Sequence, residues 1–176
     1  MSAREERAGT DPEGVLLALY DRALPQVFGY LLPRCGNASL AEDLTADTFM
    51  AAVAAAKKRT IPDLTIAWLV GVARHKLVDH WRRREREERS IGAVHGGRDA
   101  VDDPWDEHVN AEQAYVVLTQ LPPPQRAALA LRYLDGLPVA QVAELLGRSE
   151  RATETLLVRA RAAFRRAYEE SEGDGA

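Results

Sequence analysis

The sequence predicts an all-α protein of two small helical domains joined by a flexible acidic linker, with a helix-turn-helix in the second domain. Apolar residues recur at helical spacing along most of the chain, and no segment alternates with period two between turn residues. This periodicity fails between Arg84 and Asn110, a stretch longer than the loops of a compact domain. The length of 176 residues suits one ordinary domain or two small ones.

The first two helices are predicted from their N-terminal signals. Thr10–Glu13 is a capping box with proline in the first turn, and it precedes helical spacing over Val15–Leu32. We expect Pro25 to kink or split that helix. Ser39–Glu42 is a second capping box, which predicts an alanine-rich helix over about Leu40–Ala56.

A basic loop and a third helix complete the first domain. The stretch Lys57–Leu64 carries three basic residues and a proline, which predicts a loop. The third helix is expected from Ile66 to beyond Arg84. Its apolar positions include Leu69, Val72, Ala73, Leu77 and Trp81.

The second domain is predicted to contain four helices. They are expected at about Ala111–Gln120, Pro124–Leu134, Val139–Leu146 and Glu150–Glu169. Gly147 suits the left-handed position just after a helix, and Ser149 is a good N-cap for the next one. Two helices joined by so tight a turn form a helix-turn-helix. The polar tail after Glu170 is expected to fray.

The last helix has two distinct faces when its residues are placed at about 100° intervals. The predicted core stripe is Thr153, Leu157, Ala160, Phe164 and Ala167. The opposite face carries Arg151, Thr155, Arg159 and Arg166. An arginine-bearing outer face suits insertion into a DNA major groove, and the alternative is a solvated face on a helical bundle.

Composition excludes several classes of protein. No apolar run approaches the roughly 20 residues of a membrane span, and the charged start has no apolar core of a signal peptide. Cys35 is the only cysteine, so no internal disulfide is possible and a cytoplasmic location is expected. No metal-ligand spacing, phosphate loop or nucleophile–base pair is identifiable, so we expect no enzyme activity, metal or cofactor.

The net charge of −4 hides an uneven distribution. Ten of the 27 acidic residues lie in Asp99–Gln113 and Glu169–Ala176, which contain no Lys or Arg. The rest of the chain therefore has 17 acidic against 23 basic residues. A net positive body suits a nucleic-acid partner.

Four stretches together resemble a known family. They are Ala41–Phe49, Ala67–Arg84, Leu121–Arg126 continued by Leu131–Leu137, and the helix-turn-helix Val139–Ser149. In this order, across an acidic linker, the chain resembles the extracytoplasmic-function (ECF) class of bacterial RNA polymerase sigma factors, in the sigma-70 family. The resemblance implies a first domain over 11–88 that binds core polymerase and the minus-ten element. A linker over 89–110 and a domain over 111–170 that binds the minus-thirty-five element would follow.

The resemblance also implies roles for individual residues. Contact with the largest polymerase subunits would involve Asp43, Asp47 and Phe49, where the alternative is a solvated acidic stripe with Phe49 in the core. The minus-ten element would meet Lys57, Lys58, Arg59, Arg74, His75, Asp79, Arg82 and Arg83. The minus-thirty-five element would meet Arg148, Ser149, Arg151, Glu154, Thr155 and Arg159. The linker residues Asp99, Asp102, Asp103, Asp106 and Glu107 would occupy a polymerase channel built for phosphates, where an ordinary solvated tether is the alternative.

Four positions depart from the family pattern. Val53 and Thr65 stand where aromatic residues are usual, which leaves fewer stacking surfaces for single-stranded bases. Glu154 and Leu156 replace two customary basic residues of the recognition helix. We therefore expect an unusual minus-thirty-five preference or weaker DNA contact by this domain.

Two other functions remain open on sequence grounds. An ordinary helix-turn-helix regulator, which binds DNA without being a polymerase subunit, accounts for the second domain equally well. An adaptor that binds polymerase but not DNA is compatible with the altered recognition helix. The resemblance implies core RNA polymerase and promoter DNA as partners, with an anti-sigma factor as a further candidate, and a place on the nucleoid through the polymerase.

Overall fold

The computed structural model describes residues 12–58, 63–90 and 110–173, and these residues form helices with no strand. The helices are α1 (Pro12–Cys35), α2 (Ala38–Lys57), α3 (Ile66–Ser90), α4 (Ala111–Gln120), α5 (Pro123–Leu129), α6 (Val139–Leu146) and α7 (Glu150–Gly173). The all-α prediction is confirmed. Two compact units divide the chain, Met1–Leu77 and Val78–Ala176, so their boundary falls within α3.

Helix α1 is longer than predicted and is not split. It runs through Pro25 and Pro33 as one element, and it buries Leu16, Val27 and Leu31 against neighbouring helices. Gly36 ends it with φ of +67°, and its N–H donates to the carbonyl of Leu32 at 3.1 Å. A glycine is favoured at this left-handed position because it has no Cβ. The expected capping box at Thr10–Glu13 begins outside the described residues.

Helix α2 begins at a different cap from the predicted one. The Asn37 side chain accepts a hydrogen bond from the Leu40 N–H at 3.1 Å, so Asn37 is the N-cap and the prediction of Ser39 was wrong. Asparagine caps as well as serine does, and it stands two residues earlier. Buried Thr45 and Thr48 donate their hydroxyls to the carbonyls of Ala41 and Leu44, both at 2.7 Å, so neither polar group is left unpaired.

Helix α3 begins at a local cap and continues beyond Arg84, as predicted. The Thr65 hydroxyl accepts from the Trp68 N–H at 3.1 Å. The predicted apolar stripe is buried at Leu69, Ala73, Leu77 and Trp81. Val72, the remaining predicted position, is half-buried. The predicted domain limits at residues 88 and 110 stay predictions, because most of the linker lies outside the described residues.

In the second unit, α4 and α6 have the predicted ends, whereas α5 is shorter than expected. A π-helical turn over Ala130–Leu134 follows α5, in which the Asp135 N–H donates to the Ala130 carbonyl at 3.0 Å. The chain before α5 is held by Arg126, which donates to the carbonyls of Thr119 and Leu121. Helix α7 packs against α4, α5 and α6 and buries Leu157, Ala160 and Phe164.

The tail was predicted to fray after Glu170, but α7 continues to Gly173. Two contacts with the start of α4 stabilise this extension. The Asn110 N–H donates to the Tyr168 hydroxyl at 3.0 Å, and the Gln113 amide donates to Ser171 at 2.7 Å. These pairs are 58 residues apart in the chain, so local sequence signals do not predict them. None of the described helices has the length and apolar character needed to cross a membrane.

Candidate polymerase and nucleic-acid interfaces

The outer face of α2 carries Asp43, Asp47 and Met50. These residues are spaced i, i+4 and i+7, so they share one side of the helix, opposite buried Thr48 and Ala52. Both carboxylates are exposed, and Met50 is 70% exposed. The outer face of α2 therefore combines two solvated carboxylates with one large exposed apolar side chain. Met50 was not among the residues predicted from the sequence, although it follows Asp43 by seven positions and so lies on the same face.

Phe49 does not lie on that face. It is only 8% exposed, and its ring meets the Tyr20 ring of α1 edge to face, with centroids 4.9 Å apart. The side chain thus packs α2 against α1. Contact of Phe49 itself with a partner stays a prediction, and such a contact would require the ring to leave Tyr20.

The basic part of α3 presents several predicted residues to solvent. His75, Asp79 and Arg82 are exposed and spaced i, i+4 and i+7 on one face, and Arg83 is exposed beside them. The His75 Nδ1 lies 2.8 Å from the Gly71 carbonyl oxygen. Since a carbonyl only accepts hydrogen bonds, Nδ1 is the donating nitrogen of this contact.

Arg74 is placed differently from its predicted partners. It is half-buried, and its Nε donates to the Tyr30 hydroxyl at 3.4 Å. The Tyr30 ring also makes a cation–π contact with Arg34, whose guanidinium carbon lies 3.9 Å from the ring centroid. Arg74 therefore takes part in the packing of the first unit. Lys57 and Lys58 are exposed at the end of α2, and Arg59 lies outside the described residues.

His80 is the one histidine with a clear electrostatic perturbation among the described residues. Burial lowers its pKa below the ordinary value of 6.5, and the positive charges of Arg83, Arg84 and Arg126 lower it further. Glu87 opposes this shift. The neutral form of His80 is thus favoured in the folded protein, which suits a packing role more than a phosphate contact.

A shallow groove of about 420 Å³ lies on the outer side of α7, which we call the α7 groove. Its cationic members are Arg148, Arg151 and Arg159. Ser149 and Thr155 contribute hydroxyls, and Ala152 and Leu156 form an apolar strip. Among the described residues, no carboxylate lines the groove. This surface has the charge expected for a nucleic-acid contact.

The local fold explains why these side chains point outward. Gly147 has φ of +64° and ends α6, and the Arg148 N–H donates back to the Ala143 carbonyl at 2.9 Å. Ser149 then caps α7, since its hydroxyl accepts from the Ala152 N–H at 3.2 Å. Thr153, predicted in the core stripe, is fully buried and bonds the Ser149 carbonyl through its own hydroxyl at 3.0 Å.

Two members of the predicted contact set differ from the others. Arg148 is half-buried and makes an ion pair with Glu85 of the same compact unit. Glu154 is exposed but does not line the α7 groove. At 100° per residue it lies about 160° around the helix from Leu156. The two unusual residues of the recognition helix therefore occupy different sides of it.

The predicted linker residues Asp99, Asp102, Asp103, Asp106 and Glu107 lie outside the described residues. Within residues 12–58, 63–90 and 110–173, no three His, Cys, Asp or Glu side chains come together in a group able to hold a metal ion.

Comparison with protein families gives two matches. The model of Sigma-70 region 2 matches residues 19–87, and that of Sigma-70 region 4 matches residues 111–164. The first match spans α2 and most of α3, and the second contains the α7 groove and the helix-turn-helix.

Individual relatives extend over most of the chain. The ECF RNA polymerase sigma factor BldN of Streptomyces coelicolor is 33% identical over 165 residues, which cover 88% of this chain and 61% of BldN. The ECF RNA polymerase sigma factor SigM of Bacillus subtilis is 28% identical over 160 residues, which cover 89% of this chain and 96% of SigM. The chain thus spans less than two thirds of BldN and nearly all of SigM.

A solved structure has a similar fold. The sigma factor RpoE of Bartonella quintana, crystallised with the anti-sigma factor NepR, aligns with a TM-score of 0.52. The alignment covers 87% of this chain and 95% of RpoE, with 22% sequence identity.

Proposed function

Because the chain belongs to the sigma-70 family of RNA polymerase sigma factors, in the ECF class, we propose that it binds core polymerase, directs it to specific promoters and helps open the DNA. The observation that carries this proposal is the order of the two sigma-70 regions, each with exposed charged residues suited to its task. Sigma factors are regulatory subunits, and polymerisation belongs to the partner enzyme.

The outer face of α2 is the proposed contact with the core enzyme. Asp43 and Asp47 are placed to pair with basic residues of a partner helix, and Met50 adds apolar area at the same surface. Phe49 acts from beneath by fixing α2 on α1 through Tyr20. It is thus a positioning residue in this proposal.

The minus-ten element is proposed to meet α3 and the loop before it. Arg82 and Arg83 would neutralise phosphates, while His75 would hydrogen-bond a base edge through Nε2. Asp79, on the same face as His75, would accept from an exposed base amino group. Lys57, Lys58 and Arg59 would hold the displaced strand, since a basic loop suits an unpaired backbone.

The minus-thirty-five element is proposed to lie in the α7 groove. Arg151 and Arg159 are exposed and would contact phosphates or guanines, and Ser149 presents the positive end of α7. Thr155 bonds the Arg151 carbonyl at 3.0 Å, so its hydroxyl oxygen remains available as an acceptor. Arg148 would exchange its ion pair with Glu85 for a phosphate.

The acidic linker is proposed to thread a polymerase channel. Between Asp99 and Asn110 the chain carries five acidic residues and no Lys or Arg, so it would mimic the charge of a nucleic acid there. The site of action would be the cytoplasm, where the polymerase works on nucleoid DNA. An anti-sigma factor is a further proposed partner, by analogy with the complex of RpoE with NepR.

The decisive experiment adds the full chain to bacterial core polymerase and sequences the transcripts made from a library of genomic fragments. We expect initiation at a defined set of promoters that core polymerase alone does not use. Initiation only after a second sigma factor is supplied would indicate a regulator, and core binding without initiation would indicate an adaptor. Either result would contradict the proposal.

Control variants assign the surfaces in the same assay. Arg151→Ala with Arg159→Ala should retain core binding and lose promoter choice. Asp43→Asn with Asp47→Asn should lose core binding, whereas Glu42→Gln should not. Glu42 is an exposed carboxylate of α2 that lies about 100° around the helix from Asp43.

A further inference from the structure

Leu156 is the one large apolar side chain among the described residues that line the α7 groove. It is half-buried and follows Ala152 by one helical turn, so the two residues form an apolar strip along one edge of the groove. Arg159 lies about 60° around the helix from Leu156, and Thr155 lies about 100° away. Leu156 therefore projects beside the polar residues that face the proposed DNA site.

The chemistry of base edges limits what such a side chain contacts. In the major groove every base edge offers donors or acceptors, and thymine alone adds an apolar group, its C5-methyl. A leucine cannot bond the polar groups, and placing it against them would leave them unpaired. An apolar strip set among cations thus favours a site where a methyl group is present.

From this placement we infer that Leu156 contacts a thymine C5-methyl group in the minus-thirty-five element and selects thymine at that position. The inference rests on the proposed function and adds to it a specificity-determining residue. This contact gives a structural reason why Leu156 stands where a basic residue is usual. A basic side chain there would contact DNA with little dependence on sequence, whereas the leucine contacts one kind of base.

A protein partner is the competing occupant of the α7 groove. The lining favours DNA, because its three charged members are all arginines and no described carboxylate lies in the groove to pair with a basic partner. The capped N-terminus of α7 at Ser149 also directs positive charge to this side of the unit.

The test replaces single thymines by deoxyuridine, which removes only the methyl group. Holoenzyme formed from the full chain and core polymerase is first used to select upstream duplexes from a randomised library. Each thymine of the selected duplex, on either strand, is then replaced in turn, and the dissociation constant is measured. We expect one replacement to weaken binding about two- to fivefold, the loss of one buried methyl group.

Variants of the protein test whether the loss of affinity on removal of the methyl group depends on the Leu156 side chain. Holoenzyme with Leu156→Ala should bind thymine and deoxyuridine equally at the responsive position. Leu145→Ala is the matched control, since Leu145 is a half-buried leucine of α6 outside the groove, and it should keep the discrimination. The comparison is made within each variant, so a general loss of stability does not imitate the result.

The inference is overturned if no thymine responds, or if Leu156→Ala still discriminates. It is also overturned if Leu156→Ala lowers affinity for core polymerase with no thymine effect, which would make the groove a protein-binding surface. Failure to enrich any upstream sequence has a different meaning, because it would overturn the proposed minus-thirty-five function together with the inference.

Discussion

The rings of Tyr20 and Phe49 lie edge to face, with centroids 4.9 Å apart and planes inclined by 61°. Phe49 is 8% exposed, so this pair joins α1 and α2 directly beneath the acidic outer face of α2. Such pairs add to the stabilisation that burial of the ring already provides.

Replacing Phe49 by alanine should therefore destabilise the first unit by about 3 kcal/mol, through the lost transfer energy and the cavity left behind. Urea unfolding followed by circular dichroism measures the change. Met50→Ala is the neighbouring control and should shift stability by less than about 0.5 kcal/mol, because Met50 is 70% exposed. Equal stability of Phe49→Ala and the unaltered chain would contradict the packing role.

Met50 should contribute to binding of core polymerase through apolar contact. Met50→Ala is expected to weaken that binding about three- to tenfold with little dependence on salt, because burial of apolar area is not screened. Asp43→Asn with Asp47→Asn should weaken binding most at low salt. Titration of core polymerase with labelled chain at two ionic strengths separates the two patterns. Loss of the same size at both ionic strengths for the aspartate variant would contradict an electrostatic contact.

Acidification should destabilise the protein partly through His80. Its pKa is lowered in the folded state by burial and then by Arg83 and Arg84, whereas the unfolded value is near 6.5. As pH falls through about 6.5, the unfolded chain takes up a proton that the folded chain resists, so stability is lost. Urea midpoints at about pH 7.5 and about pH 5.5 should thus differ less for His80→Gln than for the unaltered chain.

Exposed His75 supplies the control for that comparison. His75→Gln makes the same substitution at an exposed histidine of the same helix, so it controls for the change of residue type itself. An identical pH dependence for all three proteins would show that His80 does not couple protonation to folding.

Two glycines should respond to alanine with opposite signs. Gly147 has φ of +64°, where a Cβ is strained, so Gly147→Ala should destabilise the second unit by about 1 kcal/mol or more. Gly29 lies within α1, and no described side chain comes within 4 Å of the position that a Cβ would take there. Gly29→Ala should therefore stabilise by up to about 1 kcal/mol. Thermal unfolding distinguishes these directions, and stabilisation by Gly147→Ala would contradict the observed turn.

Basic residues at positions 154 and 156 of the recognition helix should raise the affinity for DNA and lower the specificity for the promoter sequence. Glu154→Lys with Leu156→Arg is expected to strengthen binding to promoter and unrelated duplexes alike. The slope of log K against log salt should steepen by about 1, because position 156 lines the α7 groove and position 154 does not. A salt titration of holoenzyme on both duplexes measures this. No change in slope would contradict a position near phosphates for the side chain introduced at residue 156.

The sequence by itself determined the helices and most of the charged faces. Apolar spacing was enough to predict the buried stripes of α3 and α7, because periodicity directly reflects which side of a helix loses water. Gly147 and Ser149 were enough to place the turn of the helix-turn-helix, since a left-handed residue and a cap are local features.

Only the tertiary structure decided which of those residues are buried and which are exposed. The sequence left Phe49 open between the core and an interface and predicted Arg74 at the minus-ten element. Contacts with Tyr20 and Tyr30 of another helix show that both side chains also take part in the packing of the first unit. The extension of α7 depends on Tyr168 and Ser171 meeting the start of α4. Such contacts join residues far apart in the chain, so no local sequence pattern encodes them. They decide whether a side chain is buried at positions where the helical periodicity allows either burial or exposure.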